Sequence, residues 1–252
     1  MTSFGADRGG EDGSVTIRSG SAGRWPMRVA MTAAVAFVIG PAAAHFEIVP
    51  PFAGFVTCVL GSLVGLLNSV TAIWTFRRGA RGRAVAIAAL GGIPALLLAH
   101  ALAGGIGKPA INDITTDLTE PPNLLYAQSQ PANNGRDMVY PEAFKEVVRA
   151  AYPDLKPLHL AEAPDAAFAQ AVRLAEQQPA WQVLYVNGSS RIFEGVATSS
   201  LFRFQDDFAV RVRPEGTGSV VDMRSKSRDG TGDLGVNAER IRNFFSQLSG
   251  GK

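Results

Sequence analysis

Charge is missing over a long stretch of this chain. Between residues 29 and 106 the only formally charged side chains are Glu47, Arg77, Arg78, Arg81 and Arg83; every other Lys, Arg, Asp and Glu lies outside. Soluble domains are about 25% charged, whereas the whole chain reaches 18%. Three apolar stretches fill the gap, at about 29–49, 52–76 and 84–106. Crossing a bilayer takes about 20 apolar residues, and the second and third stretches meet that easily. The first is interrupted by Pro41, His45, Glu47 and Pro50-Pro51, with His45 and Glu47 near its far end at headgroup depth. The pattern excludes an ordinary soluble enzyme, and a single cysteine excludes a disulfide scaffold. It predicts a disordered tail over 1–28, three transmembrane helices over 29–106, and a soluble domain over 107–252.

The arginines predict an orientation. Arg77, Arg78, Arg81 and Arg83 lie between the second and third spans with no acidic residue among them, and the positive-inside rule puts such a loop in the cytoplasm. The first span then runs outward from Arg24 and Arg28, and everything after about Gly107 is expected on the outer face of the cytoplasmic (inner) membrane, the periplasm in a two-membrane bacterium. A competing reading takes Val29–Gly40 followed by Ala42-Ala43-Ala44 as a secretory signal cleaved at about Ala44. Both readings export the C-terminal part. Residues 107–252 carry 16 basic and 18 acidic residues, so no basic field for nucleic acid is expected there.

Asn68, Ser69, Thr71 and His100 are the polar residues within the spans that invite a functional reading. His100 has no acidic partner in any span, and Ser, Thr and Asn commonly bond between helices, so packing is the stronger expectation. Gly61 and Gly65 have the spacing that lets helices approach closely. Cys58 is expected to be a small buried apolar residue.

The soluble part reads as α+β. An extended connector, 107–140, whose stretch Ile111–Asp117 could be a short edge strand or a loop strapped on the domain, precedes two amphipathic helices, with Phe144, Val147, Val148 and Ala151 on one stripe and Phe168, Ala171, Val172 and Ala175 on the next. About four antiparallel strands follow, with turns at Asn187-Gly188, Asp206-Asp207 and Glu215–Gly218. The last hairpin fixes its own register. Pairing Val212 with Val221, Val210 with Met223 and Arg211 with Asp222 puts apolar residues on one face and opposite charges on the other, and a one-residue slip would mix the faces. Phe202, Phe204, Phe208, Val210, Val212, Val221 and Met223 are therefore expected against helices, with Arg203, Arg211, Arg213, Asp222 and Arg224 opposite. A last helix carries Ile241, Phe244, Phe245 and Leu248, with Asn237 as its expected N-cap, and ends at Gly250-Gly251. Helices on one face of an antiparallel sheet make an α+β fold.

Several runs carry a family resemblance: Asn112–Asp117 with Pro121-Pro122, Phe202–Val212, Val221–Arg228 with its Ser225-Lys226-Ser227-Arg228, and Asp233-Leu234-Gly235-Val236-Asn237-Ala238-Glu239-Arg240-Ile241. They resemble the domain of unknown function numbered 1499 (DUF1499) over about 107–248, and the N-terminal spans are similar to those of bacterial, membrane-anchored members. The resemblance implies no activity, substrate or catalytic residue.

No Gly-x-Ser-x-Gly and no metal-ligand spacing occur. The soluble part has one histidine, His159, expected in a surface loop, and no cysteine. Gly104–Lys108 resembles a phosphate loop only superficially, lacking the first glycine spacing and the Ser/Thr. Asp206-Asp207 could be paired acids for catalysis, but turn chemistry explains them better. The strongest remaining feature is an arginine face beside the loop 225–237. Arg211, Arg213, Arg224, Arg228 and Arg240, with Asp222, Asp233 and Asn237, are the candidate residues for an anion or lipid-headgroup site at a helix N-terminus. Against this stands a structural network in which Asp222, Asp229 and Asp233 neutralise the arginines, joined by Asp113 and Asp117 if the connector folds over them. The expected function is non-enzymatic: a membrane-anchored, outward-facing domain that binds an envelope component, an anionic ligand or a partner protein. Membrane lipid is an expected contact, and neither cofactor nor metal is expected. The alternatives are a membrane-associated hydrolase, which needs a pocket with a shifted carboxylate, and a small transporter's accessory subunit, which needs a polar path between spans.

Overall fold

The structure, a computed structural model, describes residues 24–250. Four apolar helices come first: α1 (Arg24–His45), α2 (Pro51–Ser69), α3 (Thr71–Arg77) and α4 (Arg81–Ala103). At Val70 a tighter turn divides α2 from α3, which together run 27 residues. The three helical stretches 24–45, 51–77 and 81–103 are long and apolar enough to cross a membrane. Residues 24–28, expected in a disordered tail, form the first turns of α1; the rest of that tail, 1–23, and Gly251 lie outside the described residues.

Glycines set how closely the helices approach. Gly40 of α1 and Gly54 of α2 face each other so closely that a Cβ on either would lie 2.5 Å from the other's carbonyl oxygen, and one on Gly61 would lie 2.7 Å from the Ala33 oxygen. Gly65 meets Gly91 of α4 with no room for a side chain on Gly91. The polar residues of the spans serve local structure. Ser62 Oγ donates to the Cys58 carbonyl, Ser69 Oγ to Gly65, Thr71 Oγ1 to Asn68, and Asn68 Nδ2 reaches across to the Pro26 carbonyl at 2.9 Å.

After the helices the chain is α+β, built as β1 (Asp113–Thr115), α5 (Leu125–Ser129), a 3₁₀ turn (Pro131–Asn133), α6 (Phe144–Ala151), β2 (Leu158–Leu160), α7 (Pro164–Glu176), β3 (Trp181–Asn187), β4 (Ile192–Thr198), β5 (Gln205–Glu215), β6 (Gly218–Ser227) and α8 (Val236–Leu248). The sheet has six strands rather than about four, all antiparallel, in the order β1-β6-β5-β4-β3, with β2 also on β6. The two added strands share the outer edge of β6 end to end: β1 opposite Arg224–Lys226, β2 opposite Ser219–Val221. His159 is thus in a short strand, not a loop, and its Nδ1 meets Glu215 Oε2 at 2.5 Å. The β5–β6 hairpin has the expected register, Val212 with Val221, Val210 with Met223 and Arg211 with Asp222. Its turn is one pairing tighter than expected, because Glu215 and Gly218 are themselves paired and Gly216, at φ +56°, makes the reversal.

One sheet face buries Phe193, Phe208, Val210, Val212, Val221 and Met223 under Val148 and Tyr152, Phe168 and Ala171 of α7, and Ile241, Phe244 and Leu248 of α8. Trp181 stacks between Phe208 and Phe244, with ring centroids 4.6 and 5.3 Å away. Fully burying one such aromatic side chain is worth about 1.5–3 kcal/mol. The other face is covered too, by the connector, whose Leu124, Ala127 and Met138 pack over Ala209.

Two expectations fail in the β4–β5 segment. Asp206 and Asp207 are not a turn: both are buried within β5, and the reversal is Ser199–Phe204, closed by Ser199 N–H to the Phe204 carbonyl and Phe204 N–H to Ser199 Oγ. Phe202 and Phe204 leave the sheet core and instead meet Phe55 of α2 edge-on, at 5.5 and 6.0 Å. The alternation that placed them in the core holds only while a strand continues, and this one stops at Thr198.

Candidate functional site

The β-strand period sends alternate residues of β5 and β6 to opposite faces, and this sorts the candidate residues. Arg211, Arg213, Asp222, Arg224 and Arg228 point to the connector side. Asp233, Asn237 and Arg240 belong to the α8 side. The two groups do not converge.

On the connector side each cation meets an acid. Arg224, 1% exposed, is held bidentately by Asp113 (Nε–Oδ1 2.9 Å, Nη2–Oδ2 2.7 Å) and donates further to the Pro122 and Met138 carbonyls. Its guanidinium also lies 5.2 Å from the Tyr140 ring centroid. Burial, with the Asp113 carboxylate nearby, pushes the Tyr140 phenol well above its ordinary pKa. Lys226 shares Asp113 at 3.2 Å. Arg211 and Arg213 both donate to Asp222 Oδ2 and Asp117 Oδ2 at 2.9–3.2 Å. Asp222 is fully buried, and its hydrogen bond to Arg213 raises that guanidinium's pKa further. Asp117 in turn caps its own turn through the Thr119 and Glu120 N–H groups. The connector is therefore a charged strap, with Asp113 from β1 and Asp117 just after it clamped on arginines of β5 and β6. Arg228 pairs bidentately with Asp207 at 2.9 and 2.6 Å.

On the α8 side the helix start is already satisfied. The N-cap position belongs to Gly235, at φ +85°, not to Asn237, and the Asp233 carboxylate two residues before it accepts the N–H groups of Gly235 (2.8 Å) and Asn237 (2.9 Å). Asn237, one residue inside the helix start, has its side chain buried between Ser225 and Ser227 and also meets Arg240. Arg240 reaches through to Asp206 Oδ2 at 2.5 Å. The Ser-x-Ser-Arg and Asp-Leu-Gly-x-Asn runs thus lock β6 to α8, with Ser225 and Ser227 on Asn237 and Asp233 setting the helix start.

One polar cavity, about 270 Å³, opens beside this network between Asn112, Asn133, Arg136, Asp137, Asp207, Lys226 and Arg228. Arg228 was expected at a binding site; Asn112, Asn133, Arg136 and Asp137 were not, because the connector that brings them has no periodicity to follow. Of the cavity's three cations Arg136 is the least committed: its Nη2 stands 3.6 Å from Asp229, and its guanidinium hydrogen bond is a 3.4 Å contact from Nε to the Ala132 carbonyl. Burial pushes the Glu194 carboxyl above its ordinary pKa, and Glu194 does not face this cavity. Its two oxygens accept the N–H groups of Tyr126 and Ala127 at 2.9 Å, capping α5. Among the described residues no group of three His, Cys, Asp or Glu side chains gathers as a metal ion would require. Gly104–Lys108 is the turn that leaves α4, with Leu234 packed against Gly105.

No curated protein matches the chain. Residues 113–248, from β1 to the last residue of α8, match the family described as "Protein of unknown function (DUF1499)". That is more than half of the chain, and it takes in the Asp113 strap, both serines under Asn237 and the Asp233 carboxylate at the start of α8: the protein belongs to the DUF1499 family.

Proposed function

We propose that this protein is a membrane-anchored binding protein, with 24–103 crossing the cytoplasmic membrane as three helices and the domain from about 107 onward on the outer, periplasmic side. The arginine-rich turn between α3 and α4 supports that orientation. The domain binds an anionic envelope component rather than turning over a substrate. The observation that carries this reading is the cavity bordered by Arg136, Lys226 and Arg228, in which Lys226 and Arg228 are held by Asp113 and Asp207 while Arg136 has only the 3.6 Å approach of Asp229. Arg forks suit phosphate and carboxylate groups, and Arg136 has donors to spare. Glu194, the carboxylate with a raised pKa, is enclosed by backbone N–H groups, which speaks against acid–base catalysis there.

The test is titration of the full chain in lipid nanodiscs with glycerol 1-phosphate, an anionic headgroup fragment, followed by calorimetry. Binding that falls about tenfold, about 1.4 kcal/mol, in Arg136→Ala while the melting temperature stays put is the expected result. Equal binding by both proteins, or none by either, removes the cavity as the ligand site.

A further inference from the structure

A second cavity has different chemistry. It measures about 470 Å³ and lies where the helices meet the domain, walled by Phe37, Val38, Pro41 and Phe46, by Cys58 of α2, by Leu97, Leu98 and Ala101 of α4, and by Leu201 and Phe202 from the β4–β5 turn. His45 is the one ionisable side chain on it apart from the thiol. That size falls in the range of small-molecule sites, about 300–1,000 Å³. Two features shape it. Pro41 lacks an N–H and interrupts the α1 ladder at this level. The α1–α2 wall stays tight at this level, with Gly40 on Gly54, whereas the close α2–α4 crossing, Gly65 on Gly91, lies farther from the domain along α4, leaving the domain end of α4 without so tight a contact.

The roof is the less ordinary part. An exposed turn between two strands normally carries polar residues, whereas this one presents Leu201, 55% exposed, and Phe202. The turn is held toward the helices from three sides. The Ser200 carbonyl meets His45 Nδ1 at 2.9 Å, Arg203 pairs with Glu47 at 3.6 Å, and Phe202 and Phe204 rest on Phe55. Both members of the ion pair have positive φ, Glu47 at +57° and Arg203 at +63°, a conformation that is costly for non-glycine residues and persists only where surroundings impose it. The walls come from helices apolar enough to span a bilayer, so at that depth the neighbouring solvent is lipid tail. Arg203, next in sequence to the lining residue Phe202, carries guanidinium donors that a phosphodiester accepts, and His45, with Nδ1–H on the Ser200 carbonyl, adds an Nε2 donor when its ring is protonated.

We propose that this cleft is a phospholipid site. One acyl chain lies between α1 and α4 beneath the Leu201-Phe202 turn, its phosphate beside His45 and Arg203, and the bound lipid joins the domain to its helices. The site is separate from the polar cavity at Arg136 and does not depend on anion binding there; it rests on the membrane-spanning part of the proposed function.

Cys58, the chain's only cysteine, lines the cleft and reports on its contents. The experiment is native mass spectrometry of the full chain released from detergent after equilibration with phosphatidylglycerol, beside the rate at which an apolar maleimide labels Cys58 with and without that lipid. The expected result is one retained phospholipid per chain and labelling slowed about tenfold by the lipid. Ala101→Trp and Ala42→Phe, which fill the cleft from its lipid-exposed walls, should each abolish the adduct and slow labelling without lipid, at an unchanged melting temperature in detergent. A lipid retained undiminished by both filled variants overturns the proposal. So does a wild-type chain that keeps no phospholipid and whose Cys58 reacts equally fast with and without it.

Discussion

The buried Asp113–Arg224 pair shows how a charge that would suit a ligand site can be taken up by the fold. Arg224 makes four hydrogen bonds to Asp113, Pro122 and Met138 and is 1% exposed. Removing one member of a buried pair strands the other, at about 3–5 kcal/mol. Arg224→Met should therefore destabilise the protein by about that much in thermal unfolding of the detergent-solubilised chain, and the Asp113→Leu/Arg224→Met double variant by less than the sum of its parts. Glu194 gives a pH signature. Burial raises its pKa, so the folded state holds a proton that the unfolded state releases. That contribution is complete below the unfolded carboxyl value, about 4.3, and is lost as pH rises through the folded value. Glu194→Gln should abolish this loss across the window just above pH 4 in pH-resolved melting curves. It should also cost about 1–3 kcal/mol at pH 7, where an amide N–H₂ would face a backbone donor. Asp154 works in the opposite sense. The hydrogen bond from Arg242 lowers its pKa, so its contribution is present above about 3.9 and is lost as pH falls through the folded value. Its side chain is 55% exposed, so solvent screens the pair and the effect is small.

Among the elements, α8 depends most on a single residue. Asp233 accepts two N–H groups at its start, and Asp233→Ala should cost about 0.5–2 kcal/mol, measurable as earlier hydrogen exchange at Gly235–Asn237 than in the rest of the helix. Asn237 looked like the cap because it precedes the apolar stripe Ile241, Phe244, Phe245, Leu248. The helix begins earlier, since Gly235 supplies the left-handed entry and Asn237 can be buried on two serines. Where elements were legible, periodicity with a long reach made them so. The hairpin register followed from three cross-strand pairs that agreed with one another, and α6 and α7 from full i, i+3, i+4, i+7 stripes. Strands β1 and β2 have three residues each, too few to show any period; β-branched residues marked Ile111–Asp117 as an edge strand or a strap, and nothing marked β2. Asp206-Asp207 imitates a turn in composition, and Arg240, Arg228 and Asn133, distant in sequence, make their burial tolerable. The candidate site was legible as a set of arginines but not as a place, because the connector decides which of them remain open to a ligand.

For the whole molecule the testable statement is topology. Alkaline phosphatase fused after Ser249 should be active in cells and green fluorescent protein at the same point dark. Replacing Arg77, Arg78, Arg81 and Arg83 by Gln should weaken that bias, the charge difference across the spans being what sets it. The junction between the helices and β1 has a further consequence, one of reach. From Gly104, just past α4, to Asp113 in β1 is a leash of nine residues, at most about 30 Å even fully extended. It is also shortened, since Leu234 sits on Gly105 and Asp233 N–H bonds the Ile111 carbonyl. With the helices in a bilayer, as proposed, a domain so tethered cannot sweep through the space beyond it in search of a distant target. A partner would then have to arrive at the bilayer surface, where confinement to a thin layer raises its effective concentration and lets even a weak contact be occupied.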